Sequence, residues 1–291
     1  MDDEFDVVLK FLKAAGEPTR LRLLALCATG ERTVTELTGI LGQSQPRVSR
    51  HLKLMTEAGL LERHRDGHWV YFRTAHSGAA GARVRQLQKL LPATSRTLAE
   101  DLDRAGRLAA AEVDSTVAID GRAFNRAILD FAMTGPVGRL LDIGCGQATV
   151  LTLLAHSASE VVGVDNDASA RRRARQRLQA AGVANASVRE GNLYRLPFAD
   201  GEFDTVVVDS VLSDAARVAE GLKEAARVAR PQARFLIVEP AAESAQAVRR
   251  RVALAAREAG VRVSAPRSIV AGGVEWLLFG ASRIALAGAA A

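Results

Sequence analysis

The first seventy-odd residues alternate apolar and polar positions at helical spacing and then switch period. From Asp6 to Ala15 the residues Val8, Leu9, Leu12 and Ala15 fall on one face, and Gly16-Glu17-Pro18 stops the pattern. A second, leucine-rich helix is expected over Thr19–Cys27. Thr33-Val-Thr-Glu36 then has the form of a capping box, starting a third helix that ends near Leu41. Ser44, with Pro46 in the first turn, starts a fourth, over Ser44–Ala58. On that helix Val48, Leu52 and Met55 share one face, while Arg47, Ser49, Arg50 and Lys53 project from the other. Leu60–Arg65 and His68–Arg73 flank Asp66-Gly67, the signal for a two-residue hairpin.

Ser77–Gly81 is small and reads as a flexible break. Arg83–Ala111 returns to a helical pattern, with Val84, Leu87, Leu91, Leu98, Leu102, Ala105 and Ala109 at three-four spacing and Pro92 set to kink or divide it. A helix over about Gly121–Ala132 stops at Gly135-Pro136. From there strand-like runs alternate with helix-length segments: Leu140–Ile143, Val161–Val164, Ala186–Arg189, Thr205–Asp209, Phe235–Val238, Val261–Val263 and Trp276–Gly280. That alternation predicts a largely parallel sheet with helices on both faces.

The first of those runs carries the strongest chemical signal. Arg139-Leu-Leu-Asp-Ile-Gly-Cys-Gly-Gln-Ala148 is an apolar strand that ends on Gly144 and Gly146, where the backbone can turn sharply against a ligand. About twenty residues on, the next run ends on Asp165, placed to meet a ribose diol. Together they form a nucleotide-type fingerprint.

Composition changes the picture little. Of 291 residues 48% are apolar, enough for substantial cores, and no apolar run reaches membrane-span length. The acidic start Met1-Asp2-Asp3-Glu4 is opposite in sign to a secretory leader, so a cytoplasmic protein with no membrane partner is expected. Cys27 and Cys145 are too few for a disulfide framework. The net charge is +6, and only five of the 39 basic residues are lysine, a bias that mirrors a GC-rich composition. Placement matters more: between Gln43 and Arg73 six Lys or Arg face three Asp or Glu, with His51, His64 and His68 interleaved. The arginines Arg171, Arg172, Arg173, Arg175 and Arg177 read instead as a solvated helix face.

The opening region resembles the winged helix-turn-helix domain of the ArsR family of bacterial repressors. The resemblance lies in Gly16-Glu-Pro-Thr-Arg-Leu-Arg-Leu-Leu24, Leu37, Gln43-Ser-Gln-Pro-Arg-Val-Ser-Arg-His-Leu52 and Glu57-Ala-Gly-Leu-Leu61. It implies a homodimer on a double-stranded DNA operator, with the helix from Ser44 in the major groove. Gln45, Ser49 and Arg50 would then face bases, and Arg47, Lys53, Arg65 and Arg73 would hold phosphates. It also makes the 83–111 segment a pairing helix; packing on its own domain is the alternative. Family members that sense metals use cysteines on the third helix or acidic and histidine ligands on the dimer helix. Here that third helix has no cysteine and only His76 lies nearby, so no metal site is expected.

The second half resembles class I S-adenosylmethionine (SAM)-dependent methyltransferases. Asp142-Ile-Gly-Cys-Gly146 matches their first motif, and the residues after Gly146 do not complete a dinucleotide Gly-x-Gly-x-x-Gly. Gly191–Phe198, Phe203-Asp-Thr-Val206 and Glu224–Pro231 before Phe235–Val238 look like later motifs. The resemblance implies that Asp142, Gly144 and Gly146 serve the methionine part, Asp165 the ribose, and Asn166, Asn192 and Leu193 the adenine, with Asp209 also on the cofactor. Asn192 stands where the family has Asp. No catalytic residue is assigned: methyl transfer needs mainly in-line positioning, and Asp209–Asp214 offers no clear nucleophile-activating group.

The expected fold is thus two-domain: an α+β winged helix-turn-helix over 1–76, a linker and dimerisation helix over 77–112, and over 113–291 an α/β Rossmann-like class I methyltransferase fold with a seven-stranded, mostly parallel sheet. The expected function is an ArsR-like transcriptional regulator that senses SAM or S-adenosylhomocysteine (SAH). The alternative is an active methyltransferase of a small molecule or protein with an autoregulatory DNA-binding domain. DNA methylation is disfavoured, because Asp209–Leu212 does not resemble Asp-Pro-Pro-Tyr.

Overall fold

The computed structural model describes residues 3–67, 69–92, 94–112, 121–213, 215–241 and 244–283. The boundary read at 113, and the residues His68 and Asp214 of the sequence readings, lie outside them. The chain divides into two compact units, residues 1–114 with 175–185, and residues 115–174 with 186–291.

In the first unit α1 (Asp3–Ala15) and α2 (Pro18–Cys27) precede β1 (Arg32–Thr33), α3 (Val34–Leu41), α4 (Gln45–Glu57), β2 (Leu61–Asp66), β3 (Trp69–Thr74), α5 (Gly78–Lys89) and α6 (Arg96–Glu112). The capping box is formed in both directions: the Glu36 amide donates to Thr33 Oγ1 at 3.2 Å and the Thr33 amide to Glu36 Oε2 at 2.6 Å. Gly42, at φ 64°, ends α3, and Pro46 sits in the first turn of α4, where its missing N–H costs nothing. Val48, Leu52 and Met55 are fully buried with Leu23, Leu24, Leu26, Leu37 and Leu60.

Three local expectations shift. Ser44 is the N-cap of α4 by position but makes no side-chain cap bond. Asp66 pairs with Trp69 and so belongs to the strand ladder rather than to the turn expected at Asp66-Gly67. Ser77–Gly81 is not a break: α5 starts at Gly78, and a β-carbon on Gly81 would meet the His76 carbonyl at 2.3 Å, so small residues let the helix start close against the hairpin's end. Pro92 does divide the long helical segment. The second half, α6, packs on α2 and α3 of its own unit, burying Asp101, Ala105 and Ala109, while Leu102 of the same apolar set stays exposed.

The second unit contains α7 (Arg122–Met133), β4 (Gly138–Ile143), α8 (Thr149–Leu154), β5 (Ala158–Asp165), the first half of α9 (Ala168–Ala180, whose residues from Arg175 on group with the first unit), β6 (Ala186–Glu190), β7 (Phe203–Asp209), α10 (Val218–Val228), β8 (Ala229–Pro240), α11 (Ala245–Glu258), β9 (Val261–Val263), β10 (Arg267–Ala271) and β11 (Val274–Arg283). Strand order is β10-β11-β8-β7-β4-β5-β6, with β11 antiparallel to its neighbours and β8, β7, β4, β5 and β6 parallel. β9 and β10 occupy one edge position. β9 pairs Val263 with Ala281, β10 pairs Arg267 with Leu278, and the register slips by one residue across the segment holding Pro266. The sheet therefore has seven positions and is mostly parallel. Phe203, Phe235 and Phe279, on β7, β8 and β11, are the largest fully buried side chains of its core.

Candidate functional site

The carboxyl ends of β4, β5 and β7 open on a cleft of about 270 Å³, lined by Gly144, Asp165, Asn166, Asn192, Leu193 and Tyr194 with Ile143, Val164, Gly191, Ser210, Val211 and Ala215. Parallel strands place their loops at one pole, where ligands of such sheets bind. The loop after β4 turns through Gly144 at φ 82°, and its amide and that of Cys145 both donate to the Val164 carbonyl, at 2.8 and 3.0 Å. Only glycine serves at 144: a β-carbon there would lie 2.1 Å from Val211 Cγ1 and 2.5 Å from the Asp209 carbonyl. Ala148, at φ 59°, then starts α8 from the left-handed region.

Asp165 is oriented by the loop it serves. Its Oδ2 accepts from the Gly146 amide at 3.0 Å and its Oδ1 from the Asp167 amide at 2.9 Å, while Arg171 of α9 donates to the Asp165 carbonyl at 3.0 Å. Arg171 and Arg175 are buried, so both leave the solvated arginine face read from the sequence, where Arg172 and Arg173 remain exposed and Arg177 is half-buried. Asn192 uses its Oδ1 to accept the Tyr194 amide at 2.9 Å, which fixes the turn and leaves one lone pair toward the cleft. Leu193 packs over Gly221. The Tyr194 hydroxyl accepts from the Arg217 amide at 3.3 Å, and the Arg217 guanidinium lies 4.6 Å from the ring centre. Trp276 packs edge-on against Phe124 and donates to the Ala271 carbonyl.

Asp142 and Asp209 do not line the cleft themselves. Asp142 is fully buried, and neither carboxylate oxygen has a hydrogen-bond partner. Burial, then the charges of Asp209 and Asp165, push its carboxyl well above the usual carboxylate range. Burial likewise raises Asp209 to about 7, against a hydrogen bond from Ser210 Oγ at 2.8 Å that favours the ionised form. Ser210 itself is held at φ 57°, the second non-glycine residue in the left-handed region after Ala148 among the described residues.

Sequence reasoning missed Glu239. At the end of β8 and fully buried, it accepts from the Leu212 amide at 2.8 Å and from the Ser213 amide and hydroxyl at 3.2 and 2.7 Å, clamping the loop after β7. Its signal was an acidic residue straight after the apolar run Phe235–Val238, the same arrangement as Asp165 and Asp209.

Four carboxylates thus gather at one pole, and the described cleft lining has no Lys, Arg or His. Such a site repels phosphate and suits a cation. This separates the two nucleotide readings that the glycine loop leaves open: a pyrophosphate is disfavoured and a sulfonium with an ammonium group is favoured. The unpartnered carboxylate of Asp142 points the same way, toward a cationic group.

In the first unit Gln45, Arg47, Arg50 and Lys53 are exposed along α4 and Ser49 is half-buried. Arg65 is exposed at the hairpin, donating to the Gly67 carbonyl. Arg73 departs from the expected set: it is buried and paired with Glu62 at 2.9 Å, so it does not project toward a phosphate. Burial pushes the Cys27 thiol up to about 12, a protonated core residue.

The fold and site define a class: a winged helix-turn-helix domain of bacterial regulators joined to a methyltransferase domain. The first matches the family described as bacterial regulatory protein, arsR family, over residues 17–63, and the second the methyltransferase domain family over residues 136–266. The arsenical resistance operon repressor of Escherichia coli is 39% identical over 82 residues, 28% of this chain and 70% of the repressor. The chain belongs to the arsR family of bacterial regulatory proteins. An uncharacterized methyltransferase of Bacillus subtilis, YodH, is 33% identical over 121 residues, 42% of this chain and 51% of that protein. A solved SAM-dependent methyltransferase from Aquifex aeolicus is 19% identical and covers 60% of this chain and 97% of its own, with a TM-score of 0.47. Apart from the repressor, the chain spans from 35% to 51% of the length of the leading curated relatives it matches.

Proposed function

We propose that this chain is a homodimeric, cytoplasmic transcriptional regulator whose methyltransferase domain binds SAM or SAH and thereby biases the operator affinity of its recognition helices. The observation that carries the ligand is the anionic cleft with Asp142 buried and unpartnered. Asp142 would meet the ammonium group, a role that offsets the cost of burying a carboxylate without a donor. Asp165, already aimed by two amides, would take the ribose hydroxyls, and Asn166, Asn192 and the Leu193 amide the adenine. SAM, when bound, supplies a methyl group activated on a sulfonium.

On DNA, Gln45, Ser49 and Arg50 would read bases while Arg47, Lys53 and Arg65 hold phosphates. Support for the homodimer lies on α1, where Phe5, Leu9 and Leu12 are exposed large apolar side chains. A coupling of about 1–3 kcal/mol between cofactor and operator is enough to switch occupancy. The test is operator affinity measured with and without saturating SAM and SAH.

A second reading is favoured by Asp209. A carboxyl held near 7 at the same pole as the cleft is matched to accept a proton at physiological pH, the property an O–H or N–H methyl acceptor would use. In that reading radiolabel passes from SAM to a small-molecule or protein acceptor, and Asp209→Asn lowers transfer at saturating SAM about 100-fold. Transfer by D209N at the wild-type rate would remove it.

A further inference from the structure

Asp101 of α6 is the most buried acidic residue of the first unit, with 1% of its surface exposed. It holds two arginines. Arg22 of α2 meets it with both prongs, Nε to Oδ2 at 2.6 Å and Nη2 to Oδ1 at 2.8 Å, and Arg104 of α6 also donates to Oδ1. The hydrogen bond to Asp101 raises the Arg22 guanidinium pKa further. Arg104 in turn points Nε at the Ile40 carbonyl, 3.0 Å away, in the last turn of α3. Carbonyls of a helix's last turn lack intrahelical donors, and a cation there also meets the negative end of the helix dipole. Only residues 42–44 separate α3 from α4. One carboxylate therefore ties α6 to α2 and, through Arg104, to the turn that sets the angle of α4.

We propose that Asp101 is a positioning residue for DNA recognition: through Arg22 and Arg104 it lets α6 fix the α3-turn-α4 geometry on which sequence-specific binding depends. Bidentate arginine–carboxylate pairs hold an angle as well as a distance, which a purely apolar contact does not. The proposal rests on the DNA-binding reading above.

The experiment uses the full chain, with a duplex that the wild-type chain selects from a randomised pool and a scrambled duplex of the same composition. Arg104→Ala removes the arm to Ile40 and keeps the Arg22–Asp101 pair; Asp101→Asn removes the charge that holds both. Affinity for the selected duplex is expected to fall about tenfold in R104A and further in D101N, while affinity for the scrambled duplex is unchanged, because the phosphate-facing cations lie on α4 and the hairpin. Amide exchange over residues 38–46 is expected to speed up in both variants with the urea midpoint of R104A unmoved. Parallel losses on both duplexes, or unchanged exchange over 38–46, overturn the proposal. A wild-type chain that selects no duplex would end the DNA-binding reading, and the exchange arm would still decide whether Asp101 positions the turn.

Discussion

Asp142 lies at the end of β4 with neither oxygen hydrogen-bonded, and beside it Asp209 is held near 7, so the cofactor pole stores unfavourable carboxylate charge. The consequence for stability has a definite sign. The folded-state value of Asp209 stands above its ordinary 3.8, so the folded chain binds the proton more tightly and loses stability as pH rises from about 4 to 7. Asp209→Asn removes that slope: urea midpoints are expected to match wild type at about pH 4 and to exceed it by on the order of 1 kcal/mol above pH 7. A cationic ligand reverses the trend, because it favours the ionised carboxylates; calorimetric affinity for SAM should rise as pH passes 7, more steeply than for SAH, whose sulfur is uncharged. Gly144→Ala is the steric counterpart. Its β-carbon meets Val211 and the Asp209 carbonyl at a positive φ, so SAM affinity is expected to fall at least tenfold in the same titration.

At the scale of elements, α4 was legible because everything local agreed: Pro46 in the first turn, three apolar residues at helical spacing and a polar opposite face. Leu52→Ala, removing a fully buried side chain, is expected to cost about 2–5 kcal/mol in urea unfolding. Arg50→Ala should relax sequence preference, whereas Arg47→Ala and Lys53→Ala should each lower the salt slope of binding by about 1 without changing it. The parallel strands were equally plain, since buried on both faces they read as unbroken apolar runs. What was hidden depends on partners far away in sequence. β1 is two residues long and exists only because β3 lies beside it, and β10 carries one buried isoleucine in an edge segment. The face of α6 has a spacing that fits a mate or its own domain equally well, and its tie to α2, Arg22 reaching Asp101, spans 79 positions of the sequence. Glu239 needed the loop after β7 to be placed before its role emerged.

For the molecule as a whole, both halves are built to recognise charge, and of opposite sign. The first exposes cations along α4 and the hairpin; the second sets Asp165 in its cleft lining, with Asp142, Asp209 and Glu239 gathered at the same pole. If α1 supplies the dimer face, Leu12→Glu should convert the dimer to a monomer in sedimentation velocity at concentrations where wild type sediments as a dimer. In the proposed function the second domain's ligand changes what the first domain does on DNA. Equilibrium binding of the full chain to its selected duplex is measured at one fixed salt concentration, alone and with saturating SAM or SAH. At least one ligand is expected to change the dissociation constant by about 5- to 150-fold, and Asp165→Ala to abolish the change. Identical affinities under all three conditions, with SAM binding established by calorimetry in the same buffer, would contradict it.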